Sequence, residues 1–423
     1  MSLNRRSLLK GAGALPFALR GLPALAQQRA ASPLPQLTFP TSLPDKASFP
    51  QFRETAYLDG AAQHARPAGA NVLIRHAASF EAGDPDGFRP DQNRIRANFA
   101  KLVNADVSEI VMVPSTQAGE SFIASAVGLH EKGAHVVSDY LHFVGSQEMY
   151  TDMSRRGLEV TWVKIKDNRI PLEDLDRAII KGKTKLVAVS HTAFVNGFQH
   201  DLKKVSEMAH AKGAMVYADV IQAAGNQPLD LASSGVDAAC CATYKWLMSS
   251  GTAFLYVRKS SQEKMQPPFY HFSQYTRLLP ETHMYPFDKP GVQIVDDYQN
   301  KAGAPGMFSM GYEPNTATMA GLEYSLPYIA GFGPEKIQAH VQTLTRYAKE
   351  ELVKRGYTLM TPMDATSPIV TVVAQNAQQY ADSFRKVGVK VTTRWNHIRI
   401  SPSVYNDMAD VERFLGAMPK LVG

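Results

Sequence analysis

Two cysteines in 423 residues, and those two adjacent, leave this chain without a disulfide framework. Cys240 and Cys241 cannot staple distant segments, and their spacing is not that of a metal site. Set inside an apolar run, they read as small buried hydrophobes. No metal is expected. Beyond the N-terminus there is no stretch of roughly 18–20 apolar residues, so no membrane-spanning helix is expected. No Gly-x-Gly-x-x-Gly follows the early strands, which argues against a dinucleotide-binding dehydrogenase. There is no internal repeat, and neither sign of charge is in large excess. The formal net charge is +6, but Arg5, Arg6, Lys10 and Arg20 fall in the first 26 residues, which hold no acid, leaving +2 for the rest. An excess that small implies no nucleic-acid partner.

What is present is a globular composition, 44% hydrophobic and 20% charged, on a chain long enough to bury a large core. Residues 1–26 read as a targeting segment. Arg5-Arg6 precedes Leu8-Leu9-Lys10, a weakly apolar run follows, and Ala24-Leu25-Ala26 offers small residues for cleavage. This resembles a twin-arginine export signal, and implies a periplasmic protein carried across the membrane already folded. Residues 27–50, rich in Pro, Ser and Gln, read as an extended arm.

From there apolar runs alternate with helical patterns. Candidate strands are 109–113, 135–138, 159–165, 185–190, 214–218, 238–243 and 252–257, several of them continuous Val/Ala/Leu runs of the kind buried on both faces of a parallel sheet. In 202–212, Leu202, Val205, Met208 and Ala209 share one helical face and Gly213 supplies the stop. This alternation predicts an α/β fold with a mostly parallel seven-stranded sheet sandwiched by helices. Residues 258–310, rich in Pro, Tyr, Phe and His, predict a long irregular excursion. A helix at 334–355 with Ile337, Val341, Leu344, Ala348 and Leu352 on one stripe then opens a small α+β lobe. A strand at 369–374, a helix at 376–387, a strand at 397–401 and a helix at 407–418 complete it. The expected division is a 27–69 arm belonging partly to the small domain, a large domain over 70–327 and a small one over 328–423.

Three features could carry chemistry. The strand 214–218 delivers Asp219 at its C-terminal end, where ligands gather in open α/β sheets, with Gln222 three residues on. Asp219 could equally cap a following helix. Ser115-Thr116-Gln117 follows a strand and opens a helix, a place for a phosphate or for ordinary capping. Lys245 follows the strand 238–243. An amine able to form a Schiff base and an acid able to hold a pyridine nitrogen protonated are what pyridoxal phosphate chemistry requires.

The ordered set resembles the class V aminotransferases, a group of fold-type I pyridoxal phosphate enzymes that includes cysteine desulfurases, kynureninases and isopenicillin N epimerase-like proteins. The segments carrying the likeness run from Tyr57-Leu58-Asp59-Gly60-Ala61-Ala62 through Val113–Gln117, Ser190-His191, Asp219–Gln222, Tyr244-Lys245-Trp246 and Gly311–Thr316 to Ile398–Pro402 with Tyr405-Asn406. The resemblance implies a pyridoxal 5'-phosphate cofactor, an amino-acid substrate and a homodimer. It implies that Lys245 forms the Schiff base and moves protons at the substrate α-carbon, and that Asp219 pairs with the pyridinium nitrogen. Gln222 would bond the phenolic oxygen. Ser115, Thr116, Gln117 and Tyr244 would hold the phosphate. Phe143, or else His142, would stack on the ring; Arg399 would clamp the substrate carboxylate, with Ala61 and Ala62 lining the substrate side.

The chain departs from that pattern in three places. No cysteine lies between Thr392 and Arg399, which disfavours persulfide chemistry. Phe194 stands where relatives carry a small polar residue. The aromatic run Pro267–Phe272 replaces a glycine-rich segment and is a candidate for substrate selection. Transamination, β- or γ-elimination and epimerisation all stay open, transamination first because no extra acid or thiol serves the others.

Overall fold

The computed structural model describes residues 37–277 and 298–418. The candidate export signal therefore lies outside the described residues, as does 278–297 within the long excursion.

All seven candidate strands join one sheet. After a short β1 (Ala56–Tyr57), the chain forms β2 (Ile110–Val113), β3 (His135–Asp139), β4 (Glu159–Val163), β5 (Thr184–Ser190), β6 (Met215–Asp219), β7 (Ala238–Ala242) and β8 (Ala253–Val257). Their spatial order is β2-β8-β7-β6-β5-β3-β4, and only β8 runs against its neighbours. Because β2 and β7 flank β8 and both oppose it, the C-terminal ends of β2, β7, β6, β5 and β3 lie along one edge. That edge collects Ser115, Lys245, Asp219, Ser190 and Asp139. Away from its β4 edge the sheet is buried on both faces; every residue of β2, β7 and β8 is buried, which is why these strands read as continuous apolar runs rather than alternating ones. Cys240 and Cys241 are free thiols buried within β7.

The excursion is less irregular than its composition implies. It contains an antiparallel pair, β9 (Tyr275–Arg277) with β10 (Tyr298–Asn300), and a helix Ala304–Phe308. The helix Pro334–Lys354 buries all five residues of its expected stripe. It packs on a second apolar cluster that includes Val370, Phe384, Ile398, Ile400, Val411 and Phe414. The lobe sheet is β11 (Val370–Val373), β14 (His397–Ile400) and β13 (Thr392–Arg394), while β12 (Val389–Lys390) pairs in parallel with β1. The helix expected over 376–387 is instead a 3-10 turn, Ala377–Tyr380, entered from Asn376 in the left-handed region and followed by the helix Ala381–Lys386.

The pairing of β1 with β12 carries the following residues across to the large sheet. Ser401 N–H donates to Leu58, Gly60 N–H to Ser401, and Ala61 N–H to the Ser401 hydroxyl. Gly60 is needed there: a Cβ would lie 3.0 Å from the Trp246 ring and 3.3 Å from the Ser401 carbonyl.

Candidate active site

The loop after β7 turns tightly. Thr243 N–H and its hydroxyl both donate to the Thr252 carbonyl, and Met248 N–H donates to the Lys245 carbonyl with Met248 in the left-handed region. Lys245 is thereby held buried. Its Nζ makes no hydrogen bond or ion pair with a described residue, and lies 5.7 Å from the centre of the Tyr244 ring. Burial pushes the ammonium down to about 8, and the charge of Asp219 restores part of the loss. Burial pushes the Asp219 carboxyl up, opposed by the Ile221 N–H and by the charges of His142 and Lys245. One oxygen of Asp219 accepts from Ile221 N–H at 2.9 Å; the other has no hydrogen-bond partner among the described residues. No helix follows Asp219 directly, so it is not a helix cap.

Ser115 caps the helix Thr116–Ala126, its hydroxyl accepting from Ala118 N–H. The N–H groups of Thr116 and Gln117 find no acceptor among the described residues. The Thr116 hydroxyl accepts from Ala242 N–H at 2.9 Å, which ties this helix start to the end of β7 and leaves its own proton to donate. The Gln117 amide donates to the Gly145 carbonyl. Two free amides at a helix start form an anion site with the partial positive charge of the helix behind it.

Phe143 is partly exposed beside Phe194, ring centres 5.7 Å apart and edge-on. His142 does not fit the role of ring platform. It has no exposed surface, and both ring nitrogens are engaged, Nδ1 with the Ser190 hydroxyl and Nε2 with Glu120. A stacking group must present a face, and only Phe143 of the two does. Gln222 is also committed within the protein: its Nε2 donates to the Ala61 carbonyl at 3.0 Å and its Oε1 accepts from the Trp246 indole at 2.9 Å. The Ala61 side chain packs into a buried cluster with Trp246 and Ile369, whereas Ala62 is exposed. Tyr244 is partly exposed beside the lysine.

Arg399 arrives by strand alternation. Ile398 and Ile400 enter the lobe core, so the residue between them projects to the opposite face. There Nη1 donates to the Phe194 carbonyl at 2.7 Å, Nη2 donates to the Thr392 hydroxyl at 3.2 Å, and Asp59 lies 3.6 Å from Nη2. Nε is buried without a partner among the described residues.

A network with little trace in the sequence lies behind Asp219. Glu120, fully buried, accepts from His142, from the Ser146 hydroxyl at 2.5 Å and from the Tyr150 hydroxyl at 2.8 Å. Burial would lower the His142 imidazole, but the charge and hydrogen bond of Glu120, with Asp139 and Asp219, hold it above its ordinary value. The only signal in the sequence was an acid on the buried face of an apolar helix.

The edge thus gathers a poised amine, an unfilled carboxylate oxygen, an anion cup, an aromatic face and an under-bonded guanidinium. Comparison with known proteins gives a family and a fold. The family model described as aminotransferase class-V matches residues 90–414. The chain is 27% identical over 313 residues to the uncharacterized aminotransferase YcbU of Bacillus subtilis, spanning 74% of this chain and 78% of that one. It is 29% identical to the cysteine desulfurase IscS of Shewanella loihica over 174 residues, 40% of this chain and 43% of that one. Among solved structures, the apo cysteine desulfurase of Thermococcus onnurineus NA1 superposes with a TM-score of 0.74 at 19% identity, covering 90% of this chain and 97% of the other. The cystine C-S lyase C-DES, in complex with cysteine persulfide, gives 0.74 at 15% identity, covering 87% and 98%.

Proposed function

The chain belongs to the class-V aminotransferase family, and on that premise we propose that it is a pyridoxal phosphate enzyme acting at the α-carbon of an amino acid, with transamination as its reaction. The carrying observation is Lys245: a buried ammonium without a hydrogen bond to any described residue, electrostatically coupled to an equally buried Asp219. Unpaired buried ionisable groups are costly, and this pair sits where a ligand would satisfy both.

The residues present fit the cofactor. The free amides of Thr116 and Gln117, with the hydroxyls of Ser115 or Thr116 and the Tyr244 phenol, suit its phosphate. The open oxygen of Asp219 suits a ring N–H, Phe143 a ring face, and Lys245 an aldehyde. When bound, pyridoxal phosphate supplies an electron sink that acidifies the substrate α-carbon. Lys245 moves a proton at that carbon, near neutral pH, because burial has brought its amine within reach of deprotonation. Asp219 holds a proton on the ring nitrogen. Arg399 orients the substrate through its carboxylate, using the N–H groups that Phe194 and Thr392 leave free. Gln222 acts on the phenolic oxygen only through the second N–H of an amide already bound to Ala61.

A protein thiol carrying sulfur finds no support. Both cysteines of the chain are buried in β7, and burial pushes each thiol up. The test is direct. Purified protein should carry a visible absorption band, bleached by borohydride and absent in Lys245→Ala. Mixed with an amino-acid panel, it should give keto-acid-dependent amino transfer. Ammonia and a keto acid released without an acceptor would replace transamination by elimination, and a colourless protein would overturn the cofactor.

Two further readings belong here as proposals. Residues 1–26 act as a twin-arginine leader delivering the folded protein to the periplasm, supported by Arg5-Arg6 and the small residues at 24–26; Arg5→Lys with Arg6→Lys should abolish export. The exposed aromatics Tyr270 and Phe272 support a homodimer that covers them, which sedimentation would check.

A further inference from the structure

Arg399 is unusual among buried cations in being surrounded by acceptors yet poorly filled. Its nearest carboxylate, Asp59, stands 3.6 Å from Nη2, outside hydrogen-bond reach. Thr392 bridges the gap: its hydroxyl donates to Asp59 Oδ1 at 2.6 Å and accepts from Arg399 Nη2 at 3.2 Å. Nε has no partner among the described residues. Asp59 itself cannot drift, because its backbone is bridged to Ser401 and its neighbours are tied to β12 and to the end of β14.

We propose that Asp59 is a resident counter-ion for Arg399, sharing the guanidinium with the carboxylate of the incoming amino acid and so setting how tightly, and over what pH range, that carboxylate is held. The proposal rests on Arg399 being the carboxylate anchor. Asp59 is a positioning residue: it acts on substrate only through Arg399. With Asp59 charged, a second carboxylate meets both an attractive cation and a repelling anion a few ångströms behind it. A proton taken from solvent by Asp59 removes the repulsion without removing the anchor.

The surroundings favour that uptake. Burial raises the Asp59 carboxyl, opposed by the Thr392 hydrogen bond and by the charges of Arg399 and Lys390. The other titratable groups facing it are Tyr57 on its own segment and Tyr405. Around Arg399 stand Arg394, His397 and Lys245. An added negative charge at Arg399 would raise Asp59 further, so carboxylate binding and proton uptake assist one another.

The experiment is calorimetric titration of the holoenzyme with propionate, a carboxylate with no amine to react, between pH 8 and pH 6. The wild type should bind more tightly at the acid end, by up to about tenfold if bound carboxylate makes Asp59 about tenfold more basic, as linkage to the uptake of one proton requires. Asp59→Asn, which keeps the acceptor for Thr392, should bind propionate at pH 8 at least as tightly as the wild type does at pH 6, with a flat profile. Its KM for the amino acid should fall while kcat changes little. A purely structural Asp59 gives the opposite: weaker binding in Asp59→Asn with the pH slope intact, which overturns the proposal. If Asp59→Asn does not fold, Thr392→Val serves, since loss of that hydrogen bond should move the pH slope to higher pH; an unmoved slope overturns it equally. Arg399→Leu separates the two readings. Unchanged propionate binding there removes the anchor itself, whereas lost binding there with an unaltered Asp59→Asn profile removes only the counter-ion.

Discussion

The indole of Trp246 donates to Gln222 at 2.9 Å while the other end of the same amide donates to the Ala61 carbonyl at 3.0 Å. One buried amide thus joins three segments far apart in sequence: the loop carrying Lys245, the loop after Asp219, and the N-terminal segment that also supplies Asp59. Trp246→Phe keeps an aromatic ring but leaves the Gln222 oxygen buried without a donor, a loss of about 1–3 kcal/mol. The denaturation midpoint should fall accordingly. A shift within error would mean that the three segments are held together by packing alone.

Lys245 should also be detectable through its titration. Its ammonium is pushed down to about 8 by burial, and only the neutral amine attacks an aldehyde. The rate at which apo-protein captures pyridoxal phosphate should rise with pH, with a midpoint near 8, and level off above it. Stopped-flow absorbance from about pH 6.5 to about pH 10 would measure this. A rate still climbing at the top of that range would show an ordinary solvated lysine.

Acid sensitivity should come from His64. Its Nδ1 faces the Ala65 carbonyl and its Nε2 the Ser403 hydroxyl, which fits a neutral ring donating from one nitrogen and accepting at the other. Burial lowers it to about 4. The unfolded chain, with an ordinary histidine near 6.5, therefore binds a proton that the folded chain refuses between these values. Stability should drop as pH falls from about 6.5 towards 4, by up to roughly 3 kcal/mol from this group. His64→Gln should flatten that part of the stability profile; a parallel, merely lowered profile would assign the effect elsewhere, with the similarly buried His191 first in line.

The phosphate cup depends on Gly119. A Cβ there would lie 2.5 Å from the Cys240 sulfur, so Gly119→Ala must lift the helix Thr116–Ala126 away from β7. We expect a stability loss of about 1–3 kcal/mol and weaker retention of pyridoxal phosphate, read by dialysis and absorbance. The double variant Gly119→Ala, Cys240→Ala should recover much of both. Failure of that rescue would show that the Cys240 sulfur is not what excludes a side chain at Gly119.

How much of this was legible in sequence differs from residue to residue. Strands such as β2, β7 and β8 were readable because a sheet buried on both faces needs unbroken apolar runs, and the helix Pro334–Lys354 because its stripe repeats at helical spacing. The two halves of the expected helix over 376–387 were not separable, since the backbone stays right-handed through Tyr380 and Ala381 and the halves differ only in how tightly they wind. Ser115, Asp219 and Lys245 could be named beforehand because each follows a strand that must end at one edge. His142 and Phe143 are neighbours in one loop, and nothing local says which turns inward.

Local patterning by itself determined the α/β alternation, the strand ends where ligands gather and the residue types waiting there. Only the folded chain decided what those residues touch. Glu120, a lone acid on an apolar helix, became the partner of His142, Ser146 and Tyr150; Asp59 came to stand beside an arginine from the far end of the chain. Periodicity is a property of neighbours in sequence, whereas charge pairing and hydrogen bonding are settled by distance in space, and the sheet order that sets those distances is written in no single segment.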